Sequence, residues 1–223
     1  MDLTNRKKES PLINLSCLLK WCVCAGLISL IMCRGNLKAV SKHFFRMDTV
    51  TEITLVTAKE QNVNRIWDSV DSLLKYWEEH FSVHGPESDI KKLNDRTGDT
   101  VPTNATAVEM IRTALEYGDT LDGRFDITTL PLKELWGFGE LSSGEEPLPS
   151  DSAVAEVLNS IGFQQVTVLN NRIIFDSRDI QIDVGGIAKG FVLRELAALV
   201  EENGIKNYLI SAGGDIISGG RRV

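Results

Sequence analysis

The stretch DVGGIAKG, residues 183–190, decides how the C-terminal half of the chain is read. An acid closes an apolar run, two glycines follow at once, and a lysine arrives as helical spacing begins. The spacing predicts a strand over 180–183 and a helix over 187–203, closed by Gly204 at the C′ position that favours glycine. Glycine loses more backbone freedom on folding than any other residue, so a pair between strand and helix points to a close approach to the backbone. Two readings stay open. In one, N–H groups near Gly185 and Gly186 face an anion at the helix start, Lys189 adds positive charge, and Asp183 accepts a hydrogen bond or helps to hold a metal. In the other, the stretch is a tight strand-to-helix connection with an exposed lysine. Neither G-x-x-x-x-G-K-[ST] nor a G-x-G-x-x-G following a strand occurs, so no P-loop or Rossmann fingerprint is present.

Working outward, residues 47–57 alternate apolar and polar and read as a strand. Residues 64–81 carry Ile66, Val70, Leu73, Leu74, Trp77 and Phe81 at helical spacing. Gly85-Pro86 then breaks the chain, and Ser88 caps a short helix ending near Asn94. Residues 105–120 form another helix, with Val108, Ile111, Leu115 and Tyr117 as its apolar set. Residues 123–139 read as a loop entering a helix near Pro131, with Trp136 and Phe138 expected in the core. A polar loop over 144–150 and a helix over 152–160 follow. Residues 166–169 and 172–176 read as a hairpin around Asn170-Asn171. Residues 208–210 are a strand, and Asp215 to Ser218 read as a strand that has just begun. The mixture predicts an α+β fold, a mixed sheet with packed helices, incomplete at its C-terminal end.

The 223 residues are 43% hydrophobic and 25% charged, an ordinary globular balance. A net charge of -7 speaks against a nucleic-acid partner, which requires a basic face for the phosphates. All four cysteines, Cys17, Cys22, Cys24 and Cys33, fall in the first 33 residues, so the rest can form no disulfide framework or zinc ribbon. Residues 1–34 read as a signal peptide or membrane anchor. Arg6, Lys7 and Lys8 precede an uncharged run over 21–33, which is short for a membrane span. Cys33 follows Met32, which is not the small residue of a lipoprotein site. The folded body is expected over 35–223.

Two further stretches hold polar groups in suggestive places. Asp126, Thr128 and Thr129 precede the proline-started helix, either as a polar site or as ordinary N-capping. Ser211 and Asp215 bracket Ala212-Gly213-Gly214, but His43, His80 and His84 are all far upstream, which speaks against a serine triad.

Taken together, Met47-Asp48-Thr49, residues 81–88 with Leu93-Asn94, FDITTLPLKELWGFG, DVGGIAKG and Gly213-Gly214-Asp215 resemble the ApbE family, in the same order and from about residue 45 onward. The resemblance implies an ApbE-like architecture related to the T-fold. It also implies FAD:protein FMN transferase activity: with a divalent cation, usually Mg2+, FAD is cleaved, FMN passes to a threonine hydroxyl, and AMP leaves. The implied partners are flavoprotein subunits of membrane electron-transfer complexes. The implied location is the periplasmic side of the inner membrane, tethered by the N-terminal segment. By the same resemblance Met47, His84, Arg124, Phe125, Asp126, Asp183 and Lys189 line the FAD site. Asp183 and Lys189 are the catalytic pair, and the Gly186 carbonyl is a metal ligand. The other metal ligands, from a D-A-x-x-T segment, are expected beyond Val223. Two positions depart from the family pattern: Asp48 stands where a glycine is usual, and His84 where a tyrosine is usual. An FAD-binding protein without transfer, or an inactive fragment, is the alternative.

Overall fold

The computed structural model of the chain describes residues 37–58, 63–138 and 148–221. The expected N-terminal segment 1–34 with Cys33, and the loop stretch 139–147, lie outside the described residues. Chain contacts divide the protein at Lys38/Ala39, and the sheets and helices, apart from the first residue of the first strand, make up the unit that begins at Ala39.

The first hairpin starts one strand earlier than the alternation predicts. β1 (Lys38–Arg46) and β2 (Thr49–Thr57) are joined by Met47 and Asp48 alone. β1 escaped the pattern because only Phe44 of its nine residues is buried. β2 pairs antiparallel with β6 (Asn207–Ala212), and β6 with β7 (Asp215–Gly219), giving the order β1-β2-β6-β7. Ile53, Leu55, Tyr208 and Ile210 point to the buried face, while Val50, Leu209 and Ile216 face outward. Period-two alternation thus sorts one core face from one solvated face, as in antiparallel sheets generally.

Helices cover the inner face. α1 (Val63–Phe81) buries Ile66, Val70, Leu74, Trp77 and Phe81 on one stripe. α2 (Asp89–Asn94) is capped by Ser88, whose Oγ accepts from the N–H groups of Ile90 and Lys91. α3 (Ala105–Thr120) is capped by Asn104 and matches its expected bounds. Tyr117, counted in its apolar set, is half exposed and meets Phe125 edge-on instead. α4 (Leu130–Leu135) starts beside Pro131, and α5 (Asp151–Val157) continues into a 3-10 turn at Leu158–Ser160. α6 (Gly185–Glu202) packs against α1, β6 and β7. Trp77 is fully buried among these elements and donates its Nε1 hydrogen to Glu195 of α6 at 3.0 Å. Burying such a side chain contributes about 1.5–3 kcal/mol, and a buried indole N–H needs that partner.

A second sheet carries β3 (Thr100–Pro102), β5 (Arg172–Phe175) and β4 (Val166–Leu169), in the order β3-β5-β4 and antiparallel throughout. Asn170 turns the β4–β5 hairpin at φ 54°, as its type allows. The architecture is the expected α+β.

Three expectations are corrected. Residues 180–183 pair with no strand, and Val184 at φ -97°, ψ 5° lies outside the extended region. The Ile182 N–H and C=O go to the Asn94 side chain, and the Asp183 N–H goes to the Ile127 carbonyl. The long helix begins at Gly185, two residues earlier than Ile187, so both glycines lie inside its first turn. Trp136 and Phe138 are exposed: α4 is only six residues long, and Gly137 at φ 71° turns the chain away from the core.

Candidate active site

The segment 180–184 carries Asp183 to the start of α6, and several elements fix it there. Asn94, on the last turn of α2, accepts the Ile182 N–H at 2.8 Å and donates to the Ile182 carbonyl at 2.9 Å. Ile180, Ile182 and Val184 are buried, so the acid between them faces the other way. Asp183 Oδ1 accepts the N–H of Gly185, the first residue of the helix, at 2.8 Å. Its Oδ2 accepts from Lys133 Nζ at 2.8 Å, across from α4.

The glycine pair has a local explanation. A Cβ on Gly185 would lie 3.1 Å from Asp183 Oδ1, and one on Gly186 would lie 3.1 Å from the Phe125 ring. The glycines therefore make room first for the protein's own carboxylate and ring. What remains open is the Gly186 N–H, which has no partner among the described residues and is exposed. Three residues on, Lys189 lies on the same face of α6 and has no ion pair among the described residues. Lys189 Nζ lies 3.8 Å from where a Gly213 side chain would begin, and Thr49 Oγ1 lies 2.6 Å from the same point. Gly213, at φ 58° in the β6–β7 turn, leaves the space that both occupy.

These residues border a cleft of about 400 Å³ lined by Met47, Asp48, Trp77, Phe81, His84, Lys133, Asp183 and Lys189, among others. The structure thus brings together Met47, His84, Asp183 and Lys189 from three separate stretches of sequence. It places the other expected residues behind or beside the cleft. Phe125 is half-buried against Gly186. Arg124 is exposed, with no side-chain partner among the described residues. Asp126 holds its own loop: Oδ1 accepts from the Thr128 N–H at 2.7 Å and its hydroxyl at 2.6 Å, and Oδ2 accepts the Phe163 N–H at 2.9 Å. Thr128 is fully buried and also accepts from Gly162 N, so neither threonine caps α4 through its side chain. That loop sets the direction of α4 and therefore of Lys133. Ser211 lies in β6 opposite Ile216.

A neighbouring cleft of about 650 Å³ is lined by Glu78, Glu79, Glu87, His80 and His84 without lysine or arginine. Its charge is wrong for a polyanion. The smaller cleft sets Lys133 and Lys189 among Asp48, Glu78 and Asp183, so it is the one of the two that offers cations to an anionic group, next to the start of α6.

Sequence reasoning missed Lys133, Asn94 and Glu78. Lys133 sits in FDITTLPLKELWGFG, but its partner is 50 residues away. Glu78 accepts the Met47 N–H at 2.9 Å and pairs with Arg46, a contact that exists only once β1 is known.

The ApbE family model matches residues 47–222. The chain belongs to the ApbE family. Among ApbE relatives, the FAD:protein FMN transferase of Escherichia coli K12 is 31% identical over 144 residues, covering 62% of this chain and 41% of that protein. The FAD:protein FMN transferase of Haemophilus influenzae is 23% identical over 207 residues, covering 88% of this chain and 59% of that protein. Among solved structures, the ApbE protein of Thermotoga maritima aligns with a TM-score of 0.74 at 26% identity, covering 83% of this chain and 60% of that one. The flavin transferase ApbE of Vibrio cholerae aligns at 0.79 and 22%, covering 84% and 61%. The last likeness speaks to the fold alone. The chain spans between 41% and 61% of the length of these relatives.

Proposed function

We propose that this chain acts as an ApbE-type flavin transferase: it binds FAD in the 400 Å³ cleft and passes FMN to a protein hydroxyl. One observation carries the reading. An unpaired Lys189 lines the cleft beside Asp183, one helical turn past the free Gly186 N–H at the start of α6, in a chain of a flavin-transferase family. The pyrophosphate of a dinucleotide sits against these two donors, and Lys133 adds a second cation.

In the reaction the acceptor oxygen attacks the phosphorus on the FMN side of the pyrophosphate. An O–P bond forms, the bridging P–O bond breaks, and AMP leaves with that bridging oxygen. The acceptor proton is released, with Asp183 as its first acceptor. Such transfers depend on positioning and charge neutralisation, which Lys189 and the helix start supply.

The acceptor hydroxyl is that of a threonine in a membrane flavoprotein subunit. The N-terminal segment holds the chain at the periplasmic face of the inner membrane. Both parts rest on the family resemblance. Magnesium dependence rests there too. The described residues offer no group of three or more His, Cys, Asp or Glu placed to hold a metal ion. A single carbonyl at Gly186 does not fit a hard cation that takes about six oxygen ligands, so no step above runs through a metal.

The test is AMP release from FAD by the full chain, with magnesium and a threonine-bearing acceptor domain, while flavin on that domain is followed. AMP together with covalently attached flavin supports transfer. FAD binding without AMP leaves a flavin-binding protein, and no binding refutes the reading of the cleft.

A further inference from the structure

A two-residue hairpin turn with two left-handed residues calls for Asn-Gly or Gly-Gly. Here the pair is Met47 and Asp48, at φ 55° and 54°. Aspartate tolerates that region through its short polar side chain, but methionine gains nothing there. Something must over-determine the turn.

The end of the hairpin is gripped by α1. Glu78 Oε1 accepts the Met47 N–H at 2.9 Å, and its Oε2 accepts from Arg46 Nη1 at 3.3 Å. Arg46 Nη2 donates to Asp71 Oδ1 at 3.3 Å. Asp71 and Glu78 are two turns apart on one face of α1, so a single helix face holds both ends of the Arg46 fork. Met47, Asp48 and Glu78 all line the cleft.

We infer that Glu78 is a positioning residue: with Arg46 and Asp71 it latches the Met47–Asp48 turn in its left-handed form and so sets Met47 against the flavin dinucleotide. The inference rests on the reading of that cleft as an FAD site and adds a strained platform to it. Glu78 need not touch the ligand. Its effect passes through the Met47 N–H, and the strain in the turn makes that one bond matter more than a surface contact.

The full chain tests this with two readouts: protection of the Met47 amide from hydrogen exchange, and FAD affinity by fluorescence titration. Glu78→Ala is expected to expose the Met47 amide and weaken FAD about tenfold, or roughly 1.4 kcal/mol. Glu78→Gln keeps an oxygen for the Met47 N–H and is expected to recover most of the loss. Arg46→Gln, which cuts both ion pairs but leaves Glu78 on Met47, is expected to give a smaller loss. Asp48→Gly removes one left-handed penalty, so in the Glu78→Ala background it is expected to restore affinity more than it does alone. A Glu78→Gln variant as poor as Glu78→Ala, additive effects of Asp48→Gly, or an unchanged Met47 amide in Glu78→Ala overturns the latch. If the unmodified chain binds no FAD while the amide responds as expected, the flavin reading fails and the latch itself stands.

Discussion

Replacing Asn94 with alanine is the substitution whose cost can be worked out most completely. The carboxamide makes two bonds to one residue, accepting the Ile182 N–H at 2.8 Å and donating to its carbonyl at 2.9 Å. Ile182 is fully buried, so alanine leaves one orphan donor and one orphan acceptor. Each unsatisfied buried group costs about 1–3 kcal/mol, giving roughly 2–6 kcal/mol for the pair. Asn94 is itself only half-buried, so water entering the vacated space favours the lower half of that range. Asn94→Asp separates the two bonds. Its oxygen still accepts the N–H, but a carboxylate facing the Ile182 carbonyl is repelled. That repulsion raises the new carboxyl's folded pKa, so part of the deficit is expected to return as the pH falls through that pKa. The assay is urea unfolding at fixed pH, with midpoint and slope both fitted. A loss for Asn94→Ala below about 0.5 kcal/mol, the range of an ordinary surface change, would refute the clamp. The consequence for function is direct: a loosened Ile182 releases Asp183, so FAD binding falls along with stability.

Other outcomes rest on single contacts. Gly213→Ala puts a Cβ 2.6 Å from Thr49 Oγ1 at φ 58° and is expected to cost about 1–3 kcal/mol, part of it recovered by Thr49→Ala in thermal unfolding. Burial, then the bond to Glu201 at 2.7 Å, pushes Tyr208 up to about 12. Its stabilisation is therefore complete below the ordinary tyrosine pKa of about 10 and is lost as pH rises from there to about 12. Tyr208→Phe should flatten that stretch of the stability profile. Lys133→Gln removes a half-exposed ion pair with Asp183 and should change stability by less than about 1 kcal/mol while weakening FAD binding in a titration.

The helices were legible because burial on one face forces the 3.6 period. Residues 105–120 matched their bounds, and α1 starts one residue before its expected start. The β4–β5 hairpin was legible because Asn170 tolerates a left-handed turn. β1 was not, since its residues are mostly exposed and Met-Asp carries no turn signal. The stretch 180–183 looked like a strand because its apolar residues are buried, yet the Ile182 backbone bonds go to a side chain 88 residues away. The site was half legible for the same reason. DVGGIAKG marks the helix start, but nothing local shows that Lys133 reaches Asp183, or that Asp126 commits its oxygens to its own loop.

The most direct test of the central claim is equilibrium titration of the full chain with FAD, comparing the unmodified protein with Lys189→Ala and with Asp176→Ala as a control outside the cleft. The account predicts saturable binding that ADP competes away, weakened about tenfold or more by Lys189→Ala and little changed by Asp176→Ala. Absent binding, or equal effects of the two substitutions, would contradict it.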